Sequence, residues 1–94
     1  MIIVRETFVA KPGMASKLAK LVAGVMKDSP DRVRIMTDLI GAFNTVVMET
    51  ELENLAAFEK RMQEYQANPE IRTRLAGYHD MYVEGRREVY QVIG

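Results

Sequence analysis

The sequence predicts an α+β fold in which helices cover one face of a four-stranded antiparallel sheet. Three observations carry this reading. The spacing of apolar residues switches between a period of about two and one of about 3.6 residues. The segments so defined run strand, helix, strand, strand, helix, strand. Proline and glycine clusters fall at their boundaries. At 94 residues, with 48% hydrophobic and 28% charged side chains, residues 1–94 have the length and mix of one small globular domain.

Residues 2 to 9 are rich in β-branched and aromatic types and read as the first strand, stopped by Lys11-Pro12-Gly13. From Met14 the apolar positions become Met14, Leu18, Leu21, Val22 and Val25, one stripe of a helix that Asp28-Ser29-Pro30-Asp31 ends. Arg32 to Leu39 reads as a second strand and Thr45 to Glu49 as a third, joined as a hairpin through Gly41-Ala42-Phe43-Asn44. Thr50 and Glu53 have the spacing of a capping box, in which the hydroxyl and the carboxylate each satisfy a free backbone N–H. The helix expected after it carries Leu52, Leu55, Phe58, Met62 and Tyr65. Asn68-Pro69 begins a further helical segment with Ile71, Leu75, Tyr78 and Tyr82 on one stripe. Gly85 is expected to mark its exit, and Arg86 to Ile93 reads as the fourth strand.

This order, with right-handed crossovers, is the ferredoxin-like βαββαβ arrangement, with both helices on one sheet face. A sheet with one wetted face should alternate cleanly between apolar and polar residues. Here Val33, Ile35 and Leu39 oppose Met36 and Ile40, Val46 and Met48 oppose Val47, and Tyr90 and Val92 oppose Val89 and Ile93. Helices can bury only one set. At about 25 cal/mol per Å², leaving the other in water forgoes several kcal/mol. The expectation is a homodimer that packs sheet against sheet.

Several function classes are excluded. Thirteen basic and thirteen acidic residues cancel, so the chain lacks the basic surface that nucleic-acid binding needs. Without cysteine there is no disulfide, thiolate nucleophile or zinc–thiolate site. No apolar run approaches the roughly 20 residues of a membrane span, and Met1 to Glu6 lacks the pattern of a signal peptide. The expectation is a cytoplasmic protein with no nucleic-acid or membrane partner. There is no nucleophile elbow, phosphate-binding loop, dinucleotide fingerprint or spaced set of metal ligands.

Two stretches carry a family resemblance. They are Val4-Arg5-Glu6-Thr7-Phe8-Val9-Ala10-Lys11-Pro12-Gly13 and the hairpin-to-helix region from Arg34 to Glu59. Within the latter lie Gly41-Ala42-Phe43-Asn44-Thr45-Val46-Val47 and Leu55-Ala56-Ala57-Phe58-Glu59. In these the chain resembles the dimeric α/β-barrel superfamily, ferredoxin-like chains of this length whose sheets pair across a dimer. It is most similar to the NIPSNAP-like and antibiotic-biosynthesis-monooxygenase-like branches. The resemblance implies the fold and the dimer. It leaves the activity open, because the superfamily holds monooxygenases, haem enzymes, isomerases and members without known activity. Haem-degrading members resemble one another in an asparagine on the first strand, a tryptophan on the second helix and a histidine one segment later. Here those positions fall on Glu6, on no tryptophan at all, and near Leu75, one turn before His79. The resemblance therefore implies no haem degradation of that kind, and no cofactor is expected.

The candidate chemical groups are few. His79 is the sole histidine, able to serve as a base or an axial haem ligand, or to sit near a helix end as a surface imidazole. Glu6 shares parity with Val4 and Phe8, so it should face the helices. There it could move protons or pair with Arg86 or Arg87 on the neighbouring strand. Tyr65, Tyr78 and Tyr82 could hold an aromatic ligand between sheet and helices. Arg5, Arg34, Asp38 and Glu49 either line a cleft or pair with one another. Met36, Met48 and Met62 suit core positions that tolerate irregular packing. The chain is thus expected to bind a small organic molecule. One alternative is a cofactor-independent monooxygenase acting on an aromatic or quinol-like substrate, with Glu6 and His79 moving protons. Another is a non-catalytic structural or interaction module.

Overall fold

A computed structural model describes residues 1–94. The elements are β1 (Ile2–Ala10), α1 (Ala15–Met26), β2 (Arg32–Thr37), β3 (Thr45–Leu52), α2 (Leu55–Ala67), α3 (Pro69–Arg74), a 3-10 turn (Tyr78–Met81) and β4 (Tyr82–Gln91). The sheet has the order β2-β3-β1-β4, with every neighbouring pair antiparallel. The ferredoxin-like order expected from the sequence is the order observed.

The parity of β1 shows which face the helices cover. Ile2, Val4 and Ala10 are buried, and Glu6 and Phe8 share their side. Cross-strand partners extend that face to Leu52, Met48 and Val46 on β3 and to Val89, Arg87 and Gly85 on β4. α1 lies against it with Leu18, Val22 and Val25 buried. Leu18, Val22, Val46, Met48 and Ala10 form one core cluster. Ile2, Val4 and Leu52 form a second, with Phe58 packed on it. In contrast, α2 has no buried residue. The helical layer therefore closes tightly at α1 and stands off the sheet at α2.

Local chemistry explains the connections. Met14 N–H donates to Lys11 C=O at 2.9 Å, and Gly13 has φ of 81°. Proline and glycine thus occupy the second and third places of a turn whose third place requires positive φ. Asn68 caps α3, its side-chain oxygen accepting from the backbone of Glu70 and Ile71, with Pro69 at the first turn.

Four sequence expectations need correction. Thr50 and Glu53 form no capping box. Thr50 pairs with Val4 and Val33 inside the sheet, and β3 continues so that Leu52 is buried opposite Ile2. Asn54 is the cap instead, its Oδ1 accepting from Ala57 N–H at 2.9 Å. Second, the stripe through Ile71, Leu75, Tyr78 and Tyr82 is not one helix. α3 stops at Arg74, Gly77 turns the chain with φ of 84°, and Tyr82 opens β4. Third, Gly85 is not an exit but an interior residue of β4, facing Phe8. Fourth, β2 ends at Thr37, before Leu39. Asp38 Oδ1 accepts from Thr45 N–H at 2.9 Å and closes the strand pair there. Leu39, Ile40 and Phe43 consequently lie on a loop, 95%, 97% and 84% exposed.

The opposite sheet face carries Ile3, Thr7, Val9, Met36, Val47 and Tyr90, but its centre is ionic. Glu49, only 7% exposed, accepts from Arg5 Nε and Arg34 Nη2, each at 2.8 Å. The expectation of large apolar groups on both faces therefore holds only in part. Leu39 and Ile40 belong to the loop, and Ile93 lies beyond β4. No helix is long and apolar enough to cross a membrane.

Candidate functional site

The gap beneath α2 is a cavity of about 670 Å³. Its floor is the helix-covered sheet face: Val4, Glu6, Phe8, Met48, Thr50 and Leu52. α1 adds Val22 and Met26 to one side. Phe58, Met62 and Tyr65, all half-buried, look down from α2. The far wall is Ile71, Arg72 and Leu75, followed by Tyr78 and His79. A mostly apolar hollow with a few polar groups is the usual form of a small-molecule site, and this volume lies within the range of about 300–1,000 Å³ for such sites.

Besides Phe58 packed on the second core cluster, polar struts hold the roof. Arg61 Nε and Nη2 donate to the two Asp31 carboxylate oxygens at 2.8 and 3.2 Å. Arg61 Nη1 also donates to Glu64 at 2.7 Å. Those hydrogen bonds hold the Arg61 guanidinium above its ordinary pKa, the Asp31 bond being the main cause. The Tyr65 hydroxyl lies 3.1 Å from Ser29 Oγ. Both contacts tie α2 to the segment between α1 and β2. On the β4 side, the Arg87 guanidinium stands 5.3 Å from the centre of the Phe58 ring.

Glu6 faces this space, as its parity requires. It also pairs with its cross-strand neighbour, Arg87 Nε lying 3.4 Å from Glu6 Oε1. The ion pair and the helix-facing position expected as alternatives therefore coexist. His79 lies at the rim, on the 3-10 turn rather than on a longer helix. Its Nδ1 is 3.1 Å from the Tyr82 hydroxyl, and its ring centre is 4.0 Å from that of Tyr78. Phe8 packs edge-on to Tyr78, with centroids 6.5 Å apart, and 5.0 Å from Tyr82. Burial pushes the Tyr78 phenol up, reinforced by Tyr82 and by the charge of Glu6, so it remains a hydrogen-bond donor through neutral pH.

The structure thus brings Glu6, His79, Tyr65 and Tyr78 to one cavity. Tyr82 does not line it; it buttresses Tyr78 and His79 from behind. The strand charges Arg5, Arg34 and Glu49 lie on the other sheet face, paired with one another. Asp38 serves the hairpin. Arg72 and Arg61 escaped the sequence reading, because no local pattern marks which side of a short polar helix meets a cavity. No three acidic or histidine side chains cluster as metal ligands would.

No known protein-family model matches the sequence, and no curated protein is similar to it. Solved structures are similar in fold. A NIPSNAP domain protein from Burkholderia xenovorans shares 14% identity with a TM-score of 0.86, over 99% of this chain and 95% of the other. A NIPSNAP family protein of unknown function from Agrobacterium tumefaciens shares 18% identity with a TM-score of 0.84, over 96% and 86%. A solved antibiotic biosynthesis monooxygenase shares 13% identity with a TM-score of 0.74, over the whole of both chains. With its strand order and helix placement, the chain therefore has the fold of the NIPSNAP and antibiotic-biosynthesis-monooxygenase proteins, the branches its sequence resembles.

Proposed function

We propose that this protein binds a small organic molecule between its sheet and α2, and does so as a homodimer joined through the other sheet face. The observation that carries the binding reading is the hollow of about 670 Å³ beneath a helix with no buried side chain. An apolar gap of this kind forgoes packing that a core would otherwise gain, so filling it with a ligand is favourable. Glu6, Tyr78 and His79 supply the polar groups that orient such a molecule. Support for the dimer comes from Ile3, Val9, Val47, Met36 and Tyr90 on a face nothing in the chain covers. The exposed Leu39, Ile40 and Phe43 on the loop between β2 and β3 add to this. The binding test is calorimetric titration with a panel of naphthols and quinols, repeated on Met62→Trp, whose indole should fill the gap. Saturable binding to the wild type and its loss in the folded variant are expected. Unchanged binding in Met62→Trp would place the ligand elsewhere.

A second reading is a cofactor-independent monooxygenase acting on an aromatic or quinol-like substrate. It is favoured by the carboxylate of Glu6 facing the same cavity as Tyr78 and His79. Glu6 or His79 would move the proton and the aromatic walls would hold the ring. Oxygen uptake with anthrol and quinol substrates tests this. Equal rates for the wild type and a Glu6→Gln/His79→Ala variant would remove both residues from the chemistry. If no probe binds at all, the remaining reading is an interaction module.

A further inference from the structure

The cavity's charged groups are unequally satisfied. Three arginines, Arg61, Arg72 and Arg87, contribute to its lining, against a single carboxylate, Glu6. Arg61 has all three of its nitrogens bound to Asp31 and Glu64. Arg87 makes one ion pair, its Nε lying 3.4 Å from Glu6 Oε1, and its guanidinium otherwise meets only the face of the Phe58 ring. At 3.4 Å that contact is longer than the 2.8 Å pair of Arg61, so of the two ion-paired arginines on this lining Arg87 is the more easily exchanged. Arg72 makes no side-chain hydrogen bond or ion pair. The charged donors left over on this lining are thus guanidinium groups, and the partner that matches them is an anion.

We propose, building on the reading of the cavity as a ligand site, that it takes an apolar molecule bearing a carboxylate, whose head is held by Arg72 and Arg87. A guanidinium fork matches a planar carboxylate with two parallel hydrogen bonds. The largely apolar lining, with Phe8 in the floor and Phe58 and Met62 in the roof, suits a flat hydrophobic body and disfavours a small, strongly hydrated anion. A cationic ligand is disfavoured, because the one carboxylate available is already paired with Arg87.

The test compares 2-naphthoate with its uncharged isostere 2-naphthamide at neutral pH, by calorimetry on the full chain. The wild type should bind the acid about tenfold more tightly than the amide, as charge-assisted hydrogen bonds imply. Added salt should weaken the acid alone. The preference should vanish in Arg72→Gln/Arg87→Gln and persist in Arg32→Gln, an exposed arginine on the other sheet face. If the double variant does not fold, Arg72→Gln, altered at an exposed position, should still reduce the preference. Equal affinity for acid and amide would overturn the carboxylate proposal and leave the cavity reading standing. So would a preference unaffected by losing Arg72 and Arg87. Failure of both probes to bind the wild type would overturn both.

Discussion

Phe8 lies across the β1–β4 ladder from Gly85, and its ring borders the space that a side chain at position 85 would enter. A Cβ placed there would meet Phe8 Cδ1 at 3.4 Å and Tyr82 Cε2 at 3.5 Å. The glycine costs strand propensity, and it leaves the aromatic group of Phe8, Tyr78 and Tyr82 uncrowded by a branched side chain.

Gly85→Val should therefore destabilise the protein by about 1–3 kcal/mol, although valine favours strands, because its branched methyls overpack against Phe8. Urea unfolding measures this. Stability equal to or above wild type would mean that the ring has room to move.

Glu49 gives a pH prediction. Hydrogen bonds from Arg34 and then Arg5 hold its carboxyl below the ordinary value of 4.5. A carboxyl lowered on folding stabilises fully above its unfolded pKa and loses that contribution as pH falls through the lower folded one. Stability should thus decline below about pH 4.5, and Glu49→Gln should flatten part of that decline. The variant should also lose about 1–2 kcal/mol at neutral pH, a modest figure because both arginines are substantially exposed. Acid titrations followed by circular dichroism test both effects.

The start of α2 separates two caps. Asn54→Ala should cost about 1 kcal/mol, because Ala57 N–H loses its acceptor. Glu53→Ala should change stability by no more than about 0.5 kcal/mol, as a surface substitution does. The reverse order in thermal denaturation would restore the capping box.

The proposed dimer is tested by mass. Light scattering at micromolar concentration should give twice the 10.7 kDa of one chain. Met36→Glu combined with Val47→Glu, both on the uncovered sheet face, should yield a folded species of half that mass. A wild-type protein that stays monomeric would remove the dimer.

The site was partly legible in the sequence. Strand parity placed Glu6 toward the helices, and the helical stripe placed Phe58, Met62 and Tyr65 beneath α2. Strand alternation and helical periodicity are local rules, so a short window carries them. The neighbouring positions of β1 and β4 offered Glu6 either Arg86 or Arg87, and the register of the folded sheet selects Arg87. The unpaired donors of Arg72 and the struts from Arg61 to Asp31 were not legible, since each depends on how far one helix stands from a sheet.

From the sequence alone came the order of elements, the antiparallel sheet and the side on which its helices lie. Apolar spacing and the proline and glycine breaks suffice for these. The tertiary structure decided where competing local signals resolve. Leu52 gains more by burial opposite Ile2 than by opening a helix, so β3 absorbs the expected capping box. It also decided that α2 rests on polar struts above a hollow. Only the summed contacts of three distant segments set that height, and no stretch of sequence contains them.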